Sequence, residues 1–177
     1  MSSISYVVAT LNRPTLLTTL KSIETLPGDE IIVIGNVKDA QHGSTRYIPH
    51  PPGGDWGHTE RNTAIRLCRC EYIAHIDDDD VYAPGTRRVF EAATSYTPGA
   101  PIIFRMRFPN GITLWNQTQI QCGNVGTPMF LMPNVPEKFG MWGSFVGGDC
   151  HFLETSKWKH EEYVWRTEII AHLGHNV

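Results

Sequence analysis

The chain has 177 residues, 41% of them hydrophobic and 19% charged, which suits one domain with a proper core and leaves too little for two. Lys and Arg number 15 against 18 Asp and Glu, for a net charge of −3, so no global field draws the protein to nucleic acid or to an anionic membrane. No apolar run is long enough to span a bilayer and Met1-Ser2-Ser3-Ile4 carries no basic, apolar leader, so the expected setting is the cytoplasm, away from membranes.

In chain order, residues 4–9 read as a short buried strand. Pro14-Thr15 then starts a helix on which Leu16, Leu17, Leu20, Ile23 and Leu26 recur at helical spacing, until Pro27-Gly28 stops it. Residues 30–34 read as a second strand, 59–68 as a helix with Ala64, Ile65 and Leu67 inward, and 72–76 as a third strand. Between them, His50-Pro51-Pro52-Gly53-Gly54 reads as a loop over a binding edge. Pro84-Gly85 opens a helix to about Tyr96. Strands alternating with single helices imply right-handed crossovers and a mainly parallel sheet.

The second half changes character. Residues 102–108 alternate, with Phe104, Met106 and Phe108 opposing Arg105 and Arg107, and Pro109-Asn110-Gly111 is a hairpin signal before Ile112-Thr113-Leu114-Trp115. An antiparallel addition at one side of the sheet follows. Residues 129–132 read as a strand and 150–158 as a helix, while 164–173 fit a strand or a helix. Gly140-Met141-Trp142-Gly143-Ser144 reads as a loop with aromatic walls. The spacings of Cys68, Cys70, Cys122 and Cys150 match no zinc motif, which leaves reduced, mostly packed thiols.

The most informative junction is Asp77-Asp78-Asp79-Asp80 directly after the apolar strand Tyr72-Ile73-Ala74-His75-Ile76. It places hard oxygen ligands at the carboxyl edge of a sheet, where open α/β folds bind ligands. Four adjacent carboxylates repel one another unless a cation or a set of donors offsets them. A divalent metal carrying a phosphorylated substrate is the natural occupant, and a solvated acidic turn is the alternative for such a run without the strand. Thr10-Leu11-Asn12-Arg13-Pro14 forms a polar turn at the same edge. Arg61, near the start of the next helix, is placed to pair with a phosphate, with a carboxylate of the cluster, or as a surface ion pair. Asp149 in Gly147-Gly148-Asp149 opens a helix-like stretch, as an N-cap or as a positioned base.

Together these segments resemble glycosyltransferase family 2 on the GT-A fold. The residues that carry the resemblance are Val7-Val8-Ala9-Thr10-Leu11-Asn12-Arg13, Arg61-Asn62-Thr63-Ala64-Ile65, the aspartate run with its strand and Pro84, and Gly147-Gly148-Asp149. The resemblance implies an α/β, Rossmann-like mixed sheet with an antiparallel addition in the C-terminal half. It implies one domain over 1–177, with a nucleotide-sugar-binding half (1–100) and an acceptor and base half (101–177). The activity it implies is metal-dependent, inverting transfer of a sugar from a nucleotide-sugar, with a UDP-sugar favoured, to a hydroxyl acceptor, for which a hydroxymethylated DNA base is one example. Placed by Pro84, the Mn2+ or Mg2+ ligand falls on Asp79, Asp78 approaches the ribose and diphosphate, and Asp77 shares either task. Thr10, Asn12, Arg13, Asn36 and Arg61 then line the nucleotide pocket, with Arg61 near Asn36 or Asp78, and Asp149 is the base. His175, in preference to His172, would complete the metal site.

Two departures qualify the match. Asn36 stands where family members commonly carry an acidic residue after the second strand, and Cys150 follows Asp149 where an acid often follows. A nucleotidyltransferase on a related fold would show a glycine- and lysine-rich loop after the first strand, which residues 10–15 lack. A non-catalytic nucleotide-sugar-binding module is the other alternative.

Overall fold

A computed structural model describes residues 1–37 and 42–174. Four parallel strands form one flank of the sheet: β1 (Ile4–Thr10), β2 (Glu30–Gly35), β3 (Arg46–Pro49) and β4 (Tyr72–Asp77), in the order β3-β2-β1-β4. β1 is buried along its whole length, which is why its centre, Tyr6-Val7-Val8-Ala9, is apolar without alternation. In register, Thr10 faces Gly35 and Ala9 faces Asp77. Three strands therefore end level and form one carboxyl edge.

The helices cross between these strands. α1 (Leu16–Ser22) follows β1, α2 (His58–Ala64) follows β3 and tightens into a 3-10 turn over Ile65–Leu67, and α3 (Thr86–Tyr96) follows the two-residue β5 (Val81–Tyr82). α1 ends four residues short of Leu26. Ile23 is extended, and Ser22 Oγ donates to the Thr19 carbonyl at 2.6 Å while accepting the Tyr82 amide at 3.0 Å. This side-chain competition for backbone partners closes the helix.

The C-terminal half supplies β6 (Ile102–Arg107), β7 (Thr113–Leu114), β8 (Phe130–Pro133), α4 (Gly148–Thr155) and β9 (Val164–His172). The full order is β3-β2-β1-β4-β8-β6-β9-β5, with β7 on β6. β8 runs antiparallel to both β4 and β6, so the antiparallel addition enters through β8, and the expected hairpin only hangs β7 on β6. In that hairpin Gly111 takes φ 86° and Asn110 Oδ1 accepts the Ile112 amide at 3.0 Å. Residues 164–173 resolve as a strand parallel to β6. All four cysteines are free thiols; Cys122 is the exposed one.

Two aromatic layers fill the core. Tyr6, Tyr82, Phe90 and Phe104 lie on the α3 side. On the other side Trp142 stacks on Phe152 of α4 at 4.9 Å, with Phe130 and His75 against them. Truncating a ring of this kind to alanine costs about 3–5 kcal/mol. The second layer joins the C-terminal loop to β4, and so fixes where α4 starts relative to the carboxyl edge.

Candidate active site

The four aspartates do not converge. Asp80 donates its amide to the Asp77 carbonyl at 3.2 Å, closing a turn that sends successive side chains in different directions. Asp78 and Asp80 are buried, whereas the side chains of Asp77 and Asp79 are 35% and 41% exposed. Asp78 is a structural acceptor: Thr10 Oγ1 donates to it at 2.6 Å, the Leu11 amide at 3.1 Å, and Arg13 stands 3.2 Å away. Arg13 also pairs with Asp79. Asp80 accepts the Gly174 amide at 2.9 Å, and burial, aided by the charges of Asp79 and Asp78, pushes its carboxyl up to about 7.

The turn after β1 is shaped to meet these groups. Asn12 sits at φ 64°, which asparagine tolerates better than most residues, and its amide donates to Thr10 Oγ1 at 2.8 Å. Thr10, Leu11, Arg13, Glu60, Asp78 and Asp79 all line a cleft of about 190 Å³, whose wall includes Trp56, Gly57 and Asp77. Asn36 is exposed just past β2, with its amide on the Thr10 carbonyl at 3.1 Å, and lies outside the residues that line the cleft.

Arg61 is completely buried. It pairs with Asp77, donates to the Trp56 carbonyl at 2.9 Å and lies 4.9 Å over the Trp142 ring. Burial lowers its pKa to about 10, which still leaves it cationic at neutral pH. The contact is thus with Asp77, and the guanidinium sits beneath the cleft rather than in it. Glycine is required at the turn into α2: a Cβ on Gly57 (φ 81°) would stand 2.8 Å from Ala9 Cβ and 3.1 Å from Arg61 Nη1.

A second cleft of about 190 Å³ adjoins the first and shares Trp56 and Asp77 with it. Its other lining residues are His58, Thr127, Val146, Gly147 and Asp149. Asp149 lies in the first turn of α4 while Gly147, at φ 94°, takes the N-cap position. The capping reading is therefore replaced: Asp149 accepts its neighbour's amide, from Cys150 at 2.7 Å. Burial raises its pKa, against the pull of that amide and of His58 and Arg61. A carboxylate half-turned from water at the mouth of a cleft has the makings of a base.

Sequence reading missed His58, Trp56 and Glu60 as site residues. His58 Nδ1 contacts the Gly143 carbonyl, its ring stacks on Trp142 at 5.7 Å, and a Cβ on Gly148 would meet His58 Cε1 at 2.3 Å. Asn62 clamps the Trp142 backbone in both directions at 3.0 Å. α2 thereby sets the start of α4 and the position of Asp149. Glu60 is buried and accepts the Gly53 amide at 2.9 Å, bracing the loop over the edge. The signal for His58 was its place directly after a glycine at a helix start, beside Arg61 and Asn62.

With these two clefts in view, one comparison decides the family. The sequence profile described as Glycosyl transferase family 2 matches residues 5–153. The chain belongs to that family. The fold is GT-A, shared with S. aureus TarS 1–349 at TM-score 0.75 and 13% identity over 97% of this chain and 60% of that one. The structure of TarS 1–349 with UDP-GlcNAc superposes at TM-score 0.66 and 12% identity, over 96% of this chain and 58% of that one. A mannosyltransferase from Pyrobaculum calidifontis, in complex with GDP-Man and Mn2+, superposes at TM-score 0.66 and 12% identity, over 97% of this chain and 56% of that one. The chain thus spans 56–60% of the length of these three structures. No curated protein sequence matches it.

Of the residues expected at the nucleotide edge, Thr10, Arg13, Asp77, Asp78 and Asp79 come together along the first cleft, with Asn12 shaping the turn. The expected metal ligand His175 lies outside the described residues. His172 is in β9 opposite Val81, and the chain then meets the aspartate cluster through Gly174. No helix among the described residues is long and apolar enough to cross a membrane.

Proposed function

We propose that the chain is an inverting glycosyltransferase that takes a nucleotide-sugar, UDP-linked in preference, in the first cleft and receives a hydroxyl acceptor in the second. The observation that carries this reading is the wall of Trp56 and Asp77 common to both clefts. It sets the half-exposed carboxylate Asp79 on one side and the half-buried carboxylate Asp149 on the other. Every residue that lines the first cleft precedes residue 80, which supports a nucleotide-sugar-binding N-terminal half, while the second cleft draws on both halves of the chain.

A divalent metal fits this edge. Among the described residues no group of three or more Asp, Glu, His and Cys forms a ready cage. Asp79 is half exposed with Arg13 as its partner. Mg2+ and Mn2+ with a nucleotide are commonly held by one or two carboxylates plus the phosphates. Asp79 would hold the ion, assisted by Asp77, and the ion would supply neutralisation of the leaving diphosphate. Asp78 keeps Thr10 and Leu11 in place, and Arg13 turns from Asp79 toward phosphate oxygens. Asp149 accepts the proton of the attacking hydroxyl, on the far side of the shared wall from the leaving group.

Calorimetric titration of UDP, GDP and dTDP, with and without Mn2+, into wild type and Asp79→Ala tests the reading. Binding should require Mn2+ and Asp79, with UDP the tightest. Equal affinity in every combination of protein and metal would remove the basis for this site.

A further inference from the structure

Trp56 carries two costs that its turn does not require. Its backbone sits at φ 58°, in the left-handed region that bulky residues avoid, and the residue is 64% exposed. The buried Arg61 holds this conformation through the Trp56 carbonyl. Other exposed apolar side chains gather at the same rim: Leu11 in the first cleft, Val146 in the second, and Phe145 beside it. Exposed apolar side chains at the mouths of two adjoining clefts point to a ligand surface.

The charge around the second cleft narrows the ligand. Asp77 and Asp149 line it and neither Lys nor Arg does, since Arg61 is sealed beneath. A phosphate-flanked group would be repelled there, and Arg105 of the β6–β7 hairpin is stacked on Trp115 at 4.4 Å rather than presented to a polyanion. The cleft is also below the roughly 300–1,000 Å³ of a drug-sized site, so it admits one ring. A pyranose meets all three conditions: it is uncharged, has an apolar face for an indole, and carries edge hydroxyls for carboxylates.

We propose that Trp56 is the stacking platform for a pyranose ring at the junction of the two clefts, carried there by the donor, by the acceptor, or by each in turn. This rests on the glycosyltransferase reading and deepens it. The indole forms a floor for the ring's C–H face, while Asp77 and Asp149 receive the hydroxyls.

The test uses calorimetry in Mn2+ with UDP, with UDP-glucose, UDP-galactose and UDP-GlcNAc, and with the matching methyl pyranosides added both alone and to the UDP-saturated protein. Trp56→Asn removes the ring but tolerates the left-handed backbone, and Trp56→Phe keeps a ring. Trp56→Asn should bind UDP within about threefold of wild type yet lose about tenfold for a UDP-sugar, a pyranoside or both, with Trp56→Phe in between. Loss confined to UDP-sugars assigns the ring to the donor, and loss confined to pyranosides assigns it to the acceptor. The proposal is overturned if neither ligand class depends on Trp56, or if UDP alone loses as much. Should UDP fail to bind wild type, the UDP-sugar reading falls by itself, and the pyranosides added alone still report on Trp56. If Trp56→Asn does not fold, the indole N–H resonance absent from Trp56→Phe must shift in wild type on sugar addition.

Discussion

Arg61 holds Asp77 from below: the guanidinium side chain is 1% exposed and the carboxylate 35%. One partner is sealed under Trp142 and the other forms the wall between two clefts. The pair is therefore a fixed post for a functional carboxylate, and its geometry depends on three simultaneous contacts from one planar group, to Asp77, to the Trp56 carbonyl and to the Trp142 ring.

Arg61→Ala should lose about 2–4 kcal/mol in urea unfolding, at the lower end for a broken buried pair because water can reach Asp77. Arg61→Lys should recover little, since a point charge cannot make the three contacts at once. Both should weaken UDP more than they weaken the fold, by releasing Asp77 and the Trp56 turn. Unchanged UDP affinity with lowered stability would make the pair purely structural.

His75 makes a separate prediction about acid. It is fully buried on β4 among Phe130, Trp142 and Phe152, and neither ring nitrogen has a hydrogen-bond partner among the described residues. Burial, reinforced by the Arg61 charge, holds its pKa well below the ordinary value of 6.5. The unfolded chain takes up a proton there that the folded chain refuses. Stability from this residue is complete above pH 6.5 and falls as the pH drops below it, by about 1.4 kcal/mol per pH unit until the folded pKa is reached. His75→Leu should remove that slope, so the gap in urea midpoint between variant and wild type should widen in the variant's favour from pH 7.5 to pH 5. A constant gap would mean that His75 titrates normally.

The nucleotide half was legible because its signals are local: an apolar run, a turn, a helix of one face, repeated. What escaped depended on partners far along the chain. β3 has four residues, three half-buried and the last, Pro49, exposed, too short to read, and exists because β2 offers it an edge. β5 is two residues long and forms against β9, more than 80 residues on. The α4 start shifted by two residues because glycines at 147 and 148 read as loop; His58 needs the second one bare. That shift turned Asp149 from a cap into a first-turn side chain facing a cleft. Sequence named the chemical groups of the site more surely than their surroundings, since Arg61's burial and Trp56's exposure are set by Trp142 and the α4 loop.

Two glycines beside Trp56 separate backbone strain from crowding. At Gly54 (φ 70°) an added Cβ would have nothing within 4 Å, while at Gly57 (φ 81°) it would stand 2.8 Å from Ala9 Cβ. Gly54→Ala should cost about 1 kcal/mol, the left-handed penalty alone. Gly57→Ala should cost at least about twice that, because α2 must back away from β1, and should also weaken UDP since Gly57 lines the first cleft. Equal losses in thermal unfolding would show that α2 has slack.

Asp149→Asn tests the base directly. The substitution is near isosteric, and its side-chain oxygen can still accept the Cys150 amide, so the start of α4 should persist. Transfer should fall by about a hundred- to ten-thousand-fold while UDP affinity holds. Stability adds a second readout with the opposite sign. Burial raises the folded pKa of Asp149 above the ordinary 3.8, so the folded state favours the protonated form. That contribution is complete below pH 3.8 and is lost as the pH rises through the folded pKa, leaving wild type with a buried charge at neutral pH. Asparagine carries no such charge. The variant should therefore match or exceed wild-type stability at pH 7.5, with the advantage shrinking toward pH 4. A dead enzyme that is no less stable and still binds UDP identifies a base. Near wild-type transfer would send the search for the base to another residue, and a loss of stability equal at both pH values would mark Asp149 as part of the scaffold.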